Sequence, residues 1–240
     1  MLRVGGILGL STVDYPGKPA AVVFLYGCNF RCPFCHNHEL VENGLYAEME
    51  TEDIMKRISE NIGLIEAVTI TGGEPVLQEE GLEELCRAIK TKGLYVKLDT
   101  NGSRPNVVRN LIEGGLVDFV AMDVKYTLDE EGYSFVKAGG FVEKIRETMK
   151  LLASSDIDYE IRMPVVEGVN DDKMKTLVEE VKDAKVFVLE QMRSEKGTLD
   201  PEYEKKKGPD RERMIQLAKV FKNPVVKIRT IEGGEETVIG

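Results

Sequence analysis

The sequence lacks most of what would place it in a specialised class. No apolar run can cross a bilayer: the longest, Ala20 to Tyr26, falls far short of the about 20 residues a membrane-spanning helix needs. The opening MLRVGGILGL has no small-residue cleavage signal ahead of the first acidic and proline residues, so no secretory leader is expected and the expected location is the cytoplasm. No repeat of fixed period and no low-complexity block is present, which leaves hydrophobic period as the guide to fold. A basic excess is missing too. With 32 Lys and Arg against 42 Asp and Glu the net charge is -10, a balance that repels phosphate backbones and argues against nucleic acid as a partner. Histidine is scarce, at two residues, and cysteine stands at four. A chain of 240 residues buries enough surface to fold without disulfides, so the cysteines need another explanation.

Short β-branched or aromatic runs read as buried strands at 20–26, 67–71, 94–98, 117–122, 157–163, 185–189 and 225–228. Between them lie helical patterns. Thr51 is expected to cap a helix with Ile54, Ile58 and Ile62 on its apolar face, and Pro105 suits a first helical position with Gly114 or Gly115 as the stop. Phe141, Ile145, Met149 and Leu152 mark another helix, and Asn170 precedes one carrying Met174, Leu177, Val178 and Val181. The alternation gives about six strand–helix units, a parallel sheet covered by helices. A complete eight-fold barrel takes about 250 residues and eight units. The expectation is therefore an α/β fold, a partial (β/α)6 TIM-like barrel with its parallel sheet open on one side. The whole chain 1–240 is expected to form a single domain, its core over about 18–190 and an extension of flap, helix and strand over about 191–240. Residues 193–210, polar and broken by Gly197, Pro201, Gly208 and Pro209, are too long for an ordinary connection and are either mobile or a functional flap.

The sharpest motif directly follows the first of these strands: Cys28-Asn29-Phe30-Arg31-Cys32-Pro33-Phe34-Cys35. Thiolates this close in sequence can turn inward around one compact centre. A disulfide with a spare thiol suits a reducing cytoplasm poorly. A structural zinc site needs a fourth Cys or His, usually from a second knuckle, and His36 and His38 stand so close to Cys35 that joining the same ion would strain the loop. An iron–sulfur cluster takes thiolates as its usual ligands, and three thiolates on four irons leave one iron open to a ligand. Cys86, among Leu82, Leu85 and Ile89, reads as a small core residue of a helix.

CNFRCPFC has the CxxxCxxC spacing, with an aromatic before its last cysteine, and resembles the radical S-adenosylmethionine superfamily. Thr71-Gly72-Gly73-Glu74-Pro75 after the second strand looks like that family's GGE(P) motif; Asp99-Thr100-Asn101-Gly102 follows the third strand, Asp123-Val124-Lys125 the fourth, and Arg162 ends the fifth. Each has a plainer reading: a strand-to-helix turn for Gly72-Gly73, an Asn-Gly turn for 99–102, a simple ion pair for Asp123 and Lys125. Polar residues nevertheless gather at the carboxyl ends of successive strands, the face on which β/α barrels build active sites. The resemblance implies a [4Fe-4S] cluster on Cys28, Cys32 and Cys35, with S-adenosyl-L-methionine chelating the open iron. It implies Gly72, Gly73 and Glu74 at the ligand's methionyl end, Asp99, Asn101, Asp123, Lys125 and Arg162 lining the pocket, and His36 and Asn37 beside the adenine through backbone. Phe34 fits stacking or packing equally. A monovalent cation near Asp99, Thr100 and Asp123 is also hinted at.

The longer stretch Ser11-Thr12-Val13-Asp14-Tyr15-Pro16-Gly17, with YGCNFRCPFCHN, TGGEPVLQ and DTNG, is similar to the activating proteins of anaerobic ribonucleoside-triphosphate reductase and of pyruvate formate-lyase. By itself VDYPG is equally a surface β-turn. The resemblance implies hydrogen abstraction from a glycine of a partner glycyl-radical enzyme, the anaerobic ribonucleotide reductase, with a flavodoxin or ferredoxin-type protein as electron donor. A radical enzyme acting on a small molecule or a tRNA base shares the same cofactor motifs. A structural metal module needs only the cysteines and leaves Gly72-Gly73-Glu74 and Asp123/Lys125 unexplained.

Overall fold

Seven parallel strands stand side by side in chain order, as a strand–helix series with short crossovers requires. The computed structural model describes residues 1–42 and 44–240. It opens with a hairpin, β1 (Leu2–Tyr15) against β2 (Lys18–Leu25), followed by β3 (Ala47–Met49), α1 (Thr51–Ser59), β4 (Ala67–Gly72), α2 (Glu79–Thr91), β5 (Tyr95–Thr100) and α3 (Pro105–Glu113). Then come β6 (Phe119–Asp123), α4 (Glu130–Phe135), α5 (Val142–Ala153), β7 (Asp158–Val165), α6 (Asp171–Val181) and β8 (Val186–Gln191), and finally α7 (Pro201–Glu204), α8 (Arg211–Ala218), β9 (Val225–Thr230) and β10 (Gly234–Ile239). Among the described residues the ten strands make one sheet in the order β10-β9-β8-β7-β6-β5-β4-β2-β1-β3, and its end strands β10 and β3 do not pair with each other. The expected open, six-unit α/β series is present, with β9 as a seventh parallel strand.

Local chemistry sets the elements. Pro105 starts α3, the side chain of Asn170 accepts from the Lys173 amide at the start of α6, and Asp210 does the same for Arg213 at α8. α1 differs from expectation: Glu50 occupies the cap position, Thr51 is already helical, the helix ends at Ser59, and Ile62 lies beyond it, exposed. β1, β3 and β10 were not foreseen. They are antiparallel flanking strands; β1 carries Gly5, Gly6 and Gly9, and β10 reads GEETVI, so neither shows the apolar run of a doubly covered strand. Tyr15-Pro16-Gly17-Lys18 is the β1–β2 turn: Tyr15 pairs with Lys18, and Gly17 has φ +71°, the left-handed conformation that favours glycine. The turn lies at the opposite end of β2 from the cysteines.

Alternation along the parallel strands separates two environments. Val68, Ile70, Val96, Leu98, Val120, Met122, Ile161 and Met163 join the helices in the main core. Thr69, Lys97, Asp99, Ala121, Asp123, Glu160 and Arg162 take the other face, the inner wall of the sheet. Tyr15, Ala20, Ala67 and Phe119 close the floor of that wall with an apolar plug.

Candidate active site

The loop after β2 carries the three cysteines, and the neighbouring strand ends hold it. Gly73 N–H donates to Leu25 O at 2.8 Å and Glu74 N–H to Gly27 O at 2.7 Å. A Cβ on Gly72, which has φ +127°, would stand 2.2 Å from Leu25 O, and one on Gly73 2.2 Å from Gly27 O. The two glycines therefore admit the approach of the cysteine loop's own backbone. Arg31 pins the loop from outside, donating to Cys28 O at 2.8 Å and Phe30 O at 2.9 Å while its Nε pairs with Glu42. Asn101 donates to Asn29 Oδ1 at 3.0 Å, and Asn29 donates to Ser103 Oγ at 3.0 Å, tying the loop to the end of β5.

Phe30 is buried edge-on against Tyr133 and Phe141. Phe34 is buried against Phe135 and Tyr203. The 193–210 segment is docked on this loop, with Leu199 N–H donating to Cys35 O at 3.2 Å and Asp200 N–H to Pro33 O at 3.0 Å. Gly197 lies against the His38 ring. His36 is exposed and Asn37 half-buried on the stretch that follows Cys35.

Cys28, Cys32 and Cys35 are all free thiols. Burial pushes Cys28 up to about 11 and Cys32 up to about 12, and raises Cys35; the Lys125 ammonium pulls against this at each of the three. Among the described residues, no three His, Cys, Asp or Glu side chains are drawn to the separations one metal ion requires. Three free thiols on one short loop beside one cation fit the donor set of an iron–sulfur cluster, which takes thiolates as its usual ligands. Cys86, fully buried in α2, belongs to the core.

Glu74 is enclosed. At 1% exposure its carboxylate accepts from Thr100 Oγ1 at 2.7 Å, the Asn101 amide at 2.6 Å and the Val76 amide at 3.4 Å. Burial raises it to about 7, with those donors opposing. Those three donors join the ends of β4 and β5 through one carboxylate. Glu74→Ala is expected to lower the unfolding free energy by about 2–4 kcal/mol, because three donors lose a buried acceptor. Denaturant titration checks this; a loss near zero would contradict the enclosed position.

Asp99 and Thr100 lie within β5, Asp123 ends β6, and Arg162 sits inside β7, three residues short of its end and in register with Asp123. Arg162 Nε donates to Asp123 Oδ1 at 2.8 Å and its Nη2 stands 3.5 Å from Asp99 Oδ2. Lys125 Nζ holds Asp123 Oδ2 at 2.8 Å, the ion pair its spacing allowed. Burial alone would raise the Asp123 carboxyl, but Arg162 and Lys125 hold it well below the usual carboxylate range. Since Lys97 takes Asp99 Oδ1, every oxygen of both carboxylates faces a side-chain cation, while Thr100 Oγ1 points to Glu74. These residues do not fit the monovalent cation suggested for them.

Sequence reasoning missed Arg31, Asn29, Ser103 and Lys97. Lys97 carried a signal: a lysine inside the otherwise apolar run 94–98, two residues before Asp99. Arg229, bound to Glu160 at 2.7 and 2.9 Å and to Glu190 at 2.9 Å, carried none, because β9 lies beyond every recognisable motif.

A cysteine loop at the carboxyl end of the first parallel strand, set in an open six-unit sheet, defines a class, and residues 22–181 match the profile of the Radical SAM superfamily. The chain belongs to the radical SAM superfamily of enzymes, on the branch of the glycyl-radical enzyme activating enzymes. A protein of Methanocaldococcus jannaschii assigned by name to those activating enzymes is 36% identical over 96% of this chain and 97% of its own length. The pyruvate formate-lyase 1-activating enzyme of Escherichia coli is 33% identical over 71% of this chain and 70% of its own. Among solved structures, TYW1 with a lysine-pyruvate adduct superposes with a TM-score of 0.66 at 18% identity, covering 95% of this chain and 80% of that one. A radical SAM methyltransferase from Sphaerobacter thermophilus gives 0.68 at 14% identity, covering 92% and 68%. At such identities these two speak for the fold alone. Among the described residues no helix is long and apolar enough to cross a membrane.

Proposed function

We propose that this chain is a cytoplasmic activating enzyme for an anaerobic ribonucleoside-triphosphate reductase, abstracting a hydrogen from one glycine of that partner. The observation that carries the reading is the grouping of three free, largely buried thiols beside Lys125 at the carboxyl ends of the parallel strands. Cys28, Cys32 and Cys35 hold a [4Fe-4S] cluster; Lys125, Asp123, Arg162, Asp99 and Asn101 line the place for S-adenosylmethionine, Gly72-Gly73-Glu74 form its methionyl edge, and His36 and Asn37 border the adenine. With an electron from a flavodoxin or ferredoxin-type donor, the bound pair supplies one-electron cleavage of the sulfonium to methionine and a 5'-deoxyadenosyl radical.

The protein's own part is position and dryness. The docked 193–210 segment and the aromatic packing around Phe30 and Phe34 keep water from the cysteine loop, and the Arg162–Asp123–Lys125 set fixes a cationic group at its edge. The reductase as partner rests on the Ser11–Gly17 stretch, while the full-length likeness to the Methanocaldococcus protein supports the coarser reading, a glycyl-radical enzyme as partner. The suggested monovalent cation has no part in this reading, since its oxygens are already paired.

The test is anaerobic incubation of reconstituted, reduced protein with the reductase of the same organism and S-adenosylmethionine, followed by electron paramagnetic resonance. A glycine-centred radical on the partner, absent when that glycine is alanine, is expected. Cofactor cleavage with a silent partner would overturn the partner assignment and favour a small-molecule or tRNA substrate.

A further inference from the structure

Five charged side chains alternate in sign up the inner wall. Lys97 Nζ bonds Asp99 Oδ1 at 2.5 Å, Asp99 Oδ2 faces Arg162 Nη2 at 3.5 Å, Arg162 Nε bonds Asp123 Oδ1 at 2.8 Å, and Asp123 Oδ2 bonds Lys125 Nζ at 2.8 Å. The members come from β5, β6, the turn after β6, and β7. Side-chain exposure is 4% at Lys97, 15% at Asp99, 11% at Arg162, 18% at Asp123 and 22% at Lys125, so the series runs from the closed floor to the open mouth. Lys97 stands at the closed end of this series. Burying a lysine in a strand is costly, and a residue kept against local preference marks a place where the fold serves a site.

We propose that Lys97 is a positioning residue for the cofactor pocket: by holding Asp99 at the floor it sets Arg162, through it Asp123, and so fixes Lys125 beside the thiols. This rests on the function proposed above. The ladder has three cations and two carboxylates. Removing Lys97 leaves Asp99 a single cation, at 3.5 Å. A buried carboxylate with one distant partner draws that guanidinium toward itself and weakens its bond to Asp123. Asp123 and Lys125 then lose their fixed geometry although neither has been altered. No sequence motif quoted above includes Lys97, and among the described residues its side-chain hydrogen bond goes to Asp99.

The test is equilibrium binding of S-adenosylmethionine to anaerobically reconstituted, unreduced enzyme, in which nothing is cleaved, for wild type, Lys97→Met, Lys97→Arg and Lys97→Met/Asp99→Asn. Iron content and melting temperature are measured on each. Lys97→Met is expected to keep its iron and bind about tenfold or more weakly, the scale for losing an outer partner of a site. Lys97→Arg is expected to restore most of the affinity, and the double variant to recover part of it, because Asp99 is then no longer an uncompensated charge. Equal affinity in wild type and Lys97→Met, with only the melting temperature lowered, would make Lys97 a structural ion pair and overturn the inference. Failure of the wild type itself to bind would instead overturn the proposed function. If Lys97→Met does not fold, the comparison of Lys97→Arg with the double variant decides: equal affinity in those two contradicts the coupling.

Discussion

Replacing any one of Cys28, Cys32 and Cys35 with alanine is expected to remove the iron that the wild-type chain takes up on anaerobic reconstitution, about four atoms per chain. Two thiolates cannot hold a cubane that three hold with one corner open. Cys86→Ala is expected to leave the iron count unchanged and to cost roughly 1 kcal/mol of stability, since its thiol is fully buried in α2 among Leu82, Leu85 and Ile89. The four variants together test the ligand set by elemental analysis and absorption. Full iron in any of the first three, or its loss with Cys86, would contradict the assignment. Burial holds the Cys28 and Cys32 thiols protonated at neutral pH, so iron binding there is expected to release protons.

The second large effect is expected at Gly73. An alanine Cβ would stand 2.2 Å from Gly27 O and 2.6 Å from its carbonyl carbon, and these are backbone atoms that cannot swing aside. Relief requires the cysteine loop to lift off β4, breaking the Gly73–Leu25 and Glu74–Gly27 hydrogen bonds. Gly73→Ala should therefore destabilise the protein by about 3 kcal/mol or more and deplete its iron as well. Gly93→Ala is the control. Gly93 has φ +73° but nothing within 4 Å of an added Cβ, so it should show only backbone strain, about 1 kcal/mol, with iron retained. Similar behaviour of the two variants in urea titration and iron analysis would mean that the glycine's close approach does not set the loop.

The parallel core was legible because strands covered on both faces read as apolar runs at regular spacing, and helix ends such as Pro105 and Asn170 announce themselves chemically. The flanking strands were not. β1 and β10 are held by one or two antiparallel neighbours and expose one face, so glycines and glutamates replace the apolar run that betrays β4 or β6. Within the site, residue types were legible and their partners were not. The motif marked Glu74, but only the packed ends of β4 and β5 bring Thr100, Asn101 and Val76 to its carboxylate. Asp123 and Lys125 could be paired from their spacing of two, although β6 ends at Asp123 and Lys125 lies just beyond it. Arg162 joins them through register across β6 and β7, a long-range fact that no local pattern encodes.

The measurement that bears most directly on the whole account is the fate of S-adenosylmethionine with anaerobically reconstituted, chemically reduced protein. Formation of methionine and 5'-deoxyadenosine in equal amounts is the predicted result, lost in each of the Cys28, Cys32 and Cys35 variants. A chain that carries its full complement of iron, accepts electrons and still returns the sulfonium intact would contradict it.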